Sequence, residues 1–257
     1  MNLSQEQQVQ DNFYKFPYHY AVQFKQYFSM VYLFDWGLNY ASAVELLLQK
    51  IAKNNNVKSI IDIGCGEGRL SRELCLKFPN VKVTGVDYSN RPIQLAKALN
   101  YELDIEFITA NIIEDKLPQK YHVATLMEVY EHIEPKNAEQ FLKGVYNILE
   151  NNGILHLTVP HKNVPVAPHH FRHFSVKTLT DELEKHFEIL EVIPFEKISA
   201  KRKWLMRIFA NKVFILNHKK CNNWLYNYYK KKLFYVKDES QCQRIYVQCK
   251  KRLKTTI

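Results

Sequence analysis

The sequence predicts an α/β fold, a mostly parallel open sheet covered by helices on both faces, and three observations carry that prediction. From Val57 onward, short apolar runs alternate with longer stretches of helical periodicity, the pattern of strands buried on both sides. Of only seven glycines in the chain, Gly64, Gly66 and Gly68 fall within five residues directly after the first of these runs. A chain of 257 residues, 46% hydrophobic and 24% charged, is long and apolar enough for one such domain with additions.

Residues 13–53 read as helical. An aromatic lead-in of Phe13, Tyr14, Phe16, Tyr18 and Tyr20 is broken at Pro17, and an apolar stripe runs from Phe24 to Ile51, interrupted near Gly37. Strands are expected at 59–63, 81–86, 105–108, 123–127 and 154–159, with a sixth at 188–193 and a last at 244–248. A helix is expected from about Arg69, with Leu70, Leu74 and Leu76 facing the sheet, and others at 89–100 and 176–185. Residues 199–236 are helix-like, basic and aromatic, with Trp204, Leu205, Ile208, Phe209, Val213 and Leu216 near helical spacing. The expected organisation is an N-terminal helical cap (1–56), a core (57–195), a basic aromatic helical insertion (196–240), and the last core strand with its tail (241–257).

Composition removes several classes. The first twelve residues are polar, without a basic region followed by an apolar run, and no stretch reads as a membrane span, so a cytoplasmic location is expected. The five cysteines lack any CxxC spacing, which argues against a zinc ribbon and a disulfide framework. Charge is uneven: from Lys197 to Ile257, seventeen Lys or Arg face only Asp238 and Glu239, while the whole chain carries +10. Such a segment is drawn to phosphates on nucleic acid, anionic lipid or a phosphorylated glycan carrier; the plainer alternative is a solvated surface.

The glycines locate the chemistry. Glycine permits positive φ and close backbone approach, so a scarce residue concentrated in one turn after a buried strand marks a ligand crossing bare backbone. In an open α/β sheet that place lies beyond the carboxyl ends of the strands. The spacing in Asp62-Ile63-Gly64-Cys65-Gly66-Glu67-Gly68 is GxGxG, not the GxGxxG of pyrophosphate-binding loops, and Asp62 precedes it on the strand. Asp87 closes the next strand, where a carboxylate can accept from both hydroxyls of a ribose. Asp62 as a turn acid and Asp87 as a helix N-cap are the plainer alternatives.

The run from Ser59 to Val159 resembles the class I S-adenosylmethionine-dependent methyltransferases of the broad small-molecule type, through DIGCGEG, GVDYS, EVYEHI and NNGILHLTVP. The likeness extends over roughly residues 57–195. It implies a Rossmann-like, seven-stranded sheet with the last strand antiparallel, S-adenosyl-L-methionine as cofactor, and contacts at Asp62, Gly64, Cys65, Gly66, Gly68, Asp87 and Tyr88. Asn111 and Ile112 would bracket the adenine, with Asn111 where the family usually has Asp, and Met127 and Glu128 would lie beside the cofactor. Methyl transfer needs an aligned acceptor and, for a hydroxyl, removal of a proton. His132 or Glu131 fits that base, as do His170 and His173 of a loop resembling the family's HxRHFS type. A metal-dependent variant, with Glu128, Glu131 and His132 as ExxEH, its first and last residues four apart on one helix face, and His170 or His173 completing a four-ligand set, resembles the small-RNA 2′-O-methyltransferases; a metal-free site is the leading expectation.

The leading expectation for the acceptor is O-methylation of a small-molecule, sugar or lipid-linked compound, with peripheral membrane contact through the basic aromatic segment. An RNA methyltransferase is the alternative, and a non-catalytic cofactor-binding scaffold the second.

Overall fold

The computed structural model of the protein describes residues 5–13, 34–117, 119–211, 213–216 and 218–253. The aromatic lead-in from Tyr14 to Tyr20 and the start of the apolar stripe, Phe24 to Leu33, lie outside the described residues.

Seven strands, β1 (Ser59–Ile63), β2 (Lys82–Asp87), β3 (Ile105–Thr109), β4 (Tyr121–Met127), β5 (Leu149–Pro160), β6 (Phe187–Lys197) and β7 (Cys242–Lys251), form one sheet in the order β3-β2-β1-β4-β5-β7-β6. The first five pair in parallel, and β7 is antiparallel to both β5 and β6. All seven lie where the apolar runs predict them. The strand order reverses between β1 and β4, which opens a crevice at the carboxyl ends of those two strands.

Helix α1 (Gln5–Phe13) borders the crevice, and helices α2 (Phe34–Ile51), α3 (Arg69–Lys77), α4 (Asn90–Leu99), α5 (Ala138–Ile148), α6 (Val176–Leu183), α7 (Ala200–Phe209) and α8 (Lys219–Tyr229) cover the sheet. One face is packed by α2, α3, α7 and α8, which bury Leu47, Leu74, Leu205 and Leu225 together with Ile60, Val83 and Val123. On the other, Phe141 and Leu142 of α5 and Leu179 and Leu183 of α6 close over Ile61, Ala124 and Leu155. Among the described residues no helix is long and apolar enough to cross a membrane.

Three local expectations are corrected. Helix α2 runs through Gly37 without a break, because Leu38, Val44, Leu47, Leu48 and Ile51 bury a continuous face that outweighs a glycine penalty of about 1 kcal/mol. Leu76 is 54% exposed: two residues beyond buried Leu74, it stands on the opposite side of α3. The insertion is a hairpin of two helices, reversing where Ala210 bridges Ile215, so Val213 sits in a turn and Trp204 and Ile208 face outward. A π-helical turn, Lys230–Phe234, follows α8. Helix α1 falls within the N-terminal stretch expected as a helical cap, although QEQQVQDNF carries no apolar stripe that would place it.

Part of the basic aromatic segment is core. Leu225, Tyr229, Leu233 and Phe234 are buried. The Tyr229 hydroxyl donates to Asn39 Oδ1 at 2.6 Å, the Tyr226 hydroxyl donates to Glu45, and Lys230 pairs with Glu45 at 3.3 Å, which fixes the hairpin on α2.

Gly144 in α5 faces Ile112, and a Cβ there would overlap the Ile112 carbonyl oxygen. Gly144→Ala, which in an open helix would gain up to about 1 kcal/mol, is expected to destabilise the protein here by about 1–3 kcal/mol. Urea unfolding of the variant checks this, and a stabilised variant would contradict the packing.

Candidate active site

The turn after β1 is held against the second strand: the amides of Gly64 and Cys65 both donate to the Val86 carbonyl, at 2.7 and 3.0 Å, and the Gly68 amide donates to the Cys65 carbonyl at 2.9 Å. Gly64 has φ +69°, and a Cβ on it would lie 2.6 Å from Val129 Cγ2. Gly68, at φ +82°, caps the start of α3. The backbone of this turn faces the crevice without side-chain cover at the glycines.

Two adjoining cavities share Gln10, Gly64, Glu128, His132 and His169. The larger, about 560 Å³, is bordered by Asp87, Tyr88, Asn111 and Ile112. The other, about 360 Å³, is bordered by Asp62, Cys65, Gly66, Met127, Glu131 and His170. Thirteen of the fifteen residues singled out in the sequence thus line one crevice. Gly68 supports the turn from α3, and His173 stands behind His170.

Both strand-end acids are buried and partnered. Asp62 accepts from the Ser71 and Thr125 hydroxyls at 2.7 and 2.9 Å. Asp87 accepts from the Gly66 amide at 3.1 Å and the Ser89 amide at 3.0 Å, so it steadies the start of α4 while retaining a lone pair on each oxygen. Burial pushes each carboxyl from 3.8 up to about 6. Asn111 Oδ1 accepts from the Ile113 amide at 3.1 Å and keeps its second lone pair. Burial holds the Cys65 thiol well above its usual range, which leaves it a packing residue of the turn.

The segment after β4 departs from the expected helix. Only Tyr130–His132 forms a 3-10 turn, and Glu128 precedes it in a left-handed backbone at φ +56°, so Glu128 and His132 do not share a helix face. Glu128 Oε2 instead accepts from Arg244 Nε at 2.8 Å, and Arg244 also pairs with Glu196, itself at φ +62°. Asn39 of α2 and Arg202 of α7 hold the other Glu196 oxygen.

His132 is instead brought to His170, with ring centroids 4.7 Å apart. His132 Nδ1 faces the His169 carbonyl at 2.8 Å, and His173 Nδ1 faces the Val164 carbonyl at 2.9 Å. A carbonyl only accepts, so both of these nitrogens carry hydrogen. In the neutral network His173 Nε2 then accepts from His170 Nδ1, 2.8 Å away, which leaves the Nε2 atoms of His132 and His170 as bare acceptors. Burial lowers His132 to about 4 and His170 to about 2, so both rings are neutral at pH 7. Glu131 is fully buried and neither of its carboxylate oxygens has a hydrogen-bond partner; burial, then the Glu128 charge, raises its pKa well above the usual range. A ligand atom of each of Glu131, His132 and His170 lies within 4.8 Å of the others.

Sequence reasoning missed Arg244, Gln10 and the α2 wall formed by Trp36, Asn39 and Tyr40. Arg244 sits in a strand whose only legible signal was apolarity, and Gln10 lies in a helix without periodicity.

Residues 60–153 match the family model described as a methyltransferase domain. Among curated proteins, the ubiquinone biosynthesis O-methyltransferase of Pelagibacter ubique (strain HTCC1062) is 33% identical over 113 residues, 42% of this chain and 44% of that protein. That of Pseudomonas putida (strain W619) is 26% identical over 110 residues, 41% of this chain and 46% of the relative. The chain thus spans less than half the length of these curated relatives. In fold it is similar to the N-methyltransferase NodS of Bradyrhizobium japonicum WM9, with a TM-score of 0.59 at 13% identity, covering 84% of this chain and 97% of NodS. NodS is also known in complex with S-adenosyl-L-homocysteine. The fold is that of the class I methyltransferases.

Two outcomes follow from the geometry. Between about pH 4 and 6 the native state keeps the Asp87 proton that the unfolded chain releases, so this group's contribution to stability falls as pH rises and its cost is complete above about 6. Asp87→Asn removes that dependence; its stability relative to wild type is expected to rise between pH 4 and 6.5 in denaturant unfolding, and a constant difference would refute the buried-acid reading. Arg244→Met leaves Glu128 and Glu196 facing one another without their shared cation. It is expected to cost on the order of 3 kcal/mol, and Glu196→Gln in the same chain should restore part of it.

Proposed function

We propose that this protein is an S-adenosylmethionine-dependent methyltransferase acting on a hydroxyl of a small-molecule, sugar or lipid-linked acceptor. One observation carries the reading: a bare glycine turn flanked by two buried strand-end acids opens directly onto a cavity walled by neutral histidines. The residues fit the cofactor. Asp87 retains acceptor capacity for two ribose hydroxyls, Asn111 for an adenine amino group, and Asp62 lies beneath the turn where a cationic amino group would rest. In this reading residues 57–195 hold the cofactor, while α1 and α2 wall the acceptor side and the 196–240 insertion supports α2 from outside. The preference for oxygen follows the curated relatives, whose names specify O-methylation.

When bound, S-adenosylmethionine supplies a methyl group already activated on a sulfonium. What remains for the chain is alignment of the acceptor, exclusion of water and removal of one proton. The bare Nε2 of His132 or His170 takes that proton; the His169 carbonyl holds His132, and His173, itself fixed by the Val164 carbonyl, holds His170 in the accepting tautomer.

A second reading is favoured by the convergence of ligand atoms in the same cluster. Three acceptor atoms, from Glu131, His132 and His170, converge within 4.8 Å, a carboxylate-imidazole set that suits a divalent cation, which would lower the pKa of an acceptor hydroxyl. Glu128 is committed to Arg244 and is not part of this set.

Calorimetric titration with S-adenosylmethionine and S-adenosylhomocysteine tests both. Saturable binding is expected, weakened at least about tenfold in Asp87→Ala through loss of a charge-assisted pair of hydrogen bonds; no binding to either compound overturns the methyltransferase reading. Titration of the chelated protein with Mg²⁺ or Zn²⁺, alongside His170→Ala, separates the two mechanisms: metal binding lost in the variant supports the cation, and no binding leaves histidine as the base.

A further inference from the structure

We infer that the α7–α8 hairpin is a docking surface for an anionic lipid bilayer. This goes beyond the methyl-transfer reading and stands independently of it. Helix α7 turns Leu205, Met206 and Phe209 into the core, while Trp204 and Ile208, one turn apart, project from its outer side, Trp204 being 63% exposed. Beyond the helix, Asn211 closes a tight turn: its Oδ1 accepts from the Val213 and Phe214 amides at 2.8 and 3.1 Å, and its own amide donates to the Phe214 carbonyl at 3.0 Å. The tip so formed presents Val213, 90% exposed, and Phe214, 52% exposed. Trp224 of α8 continues the same surface, stacked on Phe209 and on Tyr228 at 6.1 and 5.4 Å.

Charge complements the apolar tip. Arg207 near the end of α7 and Lys219 and Lys220 at the start of α8 are exposed beside it, Lys201 and Lys203 are exposed toward the other end of the hairpin, and the chain has no acidic residue between Lys197 and Lys237. Lys201 Nζ lies 5.1 Å from the Tyr228 ring centroid, so cation and aromatic sit side by side as they do at a headgroup boundary. A protruding apolar tip within a basic collar suits shallow insertion below headgroups. Much of the exposed apolar area is aliphatic, Ile208, Val213 and Ile215, which offers no ring face for a base to stack on and suits acyl chains. The surface is tied to the crevice, since Arg202 of α7 pairs with Glu196 and Tyr229 holds Asn39 of the cavity wall.

Co-sedimentation of the full chain with vesicles of phosphatidylcholine alone, and of equimolar phosphatidylcholine and phosphatidylglycerol, tests the surface. Partition into the anionic vesicles only is expected, reduced by added salt and accompanied by a blue shift in tryptophan emission, because two of the three tryptophans, Trp204 and Trp224, lie on this face. Val213→Ser with Phe214→Ser should weaken partition at least about tenfold. Lys219→Gln with Lys220→Gln should weaken it by a similar factor. Both pairs are exposed, and an unchanged thermal midpoint confirms folding. Equal partition into both vesicle types, no partition, or full retention by the Val213/Phe214 pair overturns the inference. So does tight binding of a single-stranded RNA oligonucleotide by chain that ignores the vesicles.

Discussion

Arg244 is the cation on which the carboxyl ends of the later strands depend. It rises from β7 between two acids that both sit in left-handed backbone, Glu128 at the end of β4 and Glu196 near the end of β6. A non-glycine residue in that region costs of order 1–3 kcal/mol and persists only where surrounding contacts over-determine it. Here the contacts are the ion pairs themselves, reinforced by Asn39 from α2 and Arg202 from α7. The same group that neutralises the buried Glu196 and the half-buried Glu128 thereby fixes the turn carrying Glu131 and His132, and it joins the wall of the crevice to the hairpin outside it.

The second determinant is the desolvation of the groups around His132. In water, each lone pair of a carboxylate or imidazole would be satisfied by solvent; inside the fold, two backbone carbonyls take the Nδ1 hydrogens of His132 and His173, and among the described residues neither Glu131 oxygen has a hydrogen-bond partner. Desolvation then keeps both imidazoles neutral and favours the neutral form of Glu131. The resulting pocket keeps its imidazole lone pairs unprotonated at neutral pH, the form in which they can accept from a hydroxyl or hold a cation.

Much of this was legible in the sequence because it rests on local rules. The apolar runs gave all seven strands, and the clustered glycines with Asp62 and Asp87 gave the side of the crevice where a nucleoside-like ligand would lie. What escaped depends on long-range pairing. ExxEH reads as a helical face only until Arg244, 116 residues away, pulls Glu128 into another backbone region. The hairpin within 199–236 escaped because Trp204, Leu205, Ile208 and Phe209 are all apolar, and periodicity alone does not reveal which pair faces water. Leu76 fell to the same ambiguity, and Gly37 to the opposite one, where tertiary burial overrode a local breaker.

The position of β7 has a consequence for how the molecule is made. Residues 242–251 lie between β5 and β6, inside the sheet and not at its rim. While the chain emerges from a ribosome, β5 and β6 can both be complete and still have no partner on the sides that later face each other, and two open edges of that kind invite wrong pairing. The nascent protein therefore crosses an interval, lasting from residue 197 to residue 251, in which its sheet is divided and Glu196 awaits its counter-ion. Synthesis of that stretch is where a holding chaperone would have the most to protect.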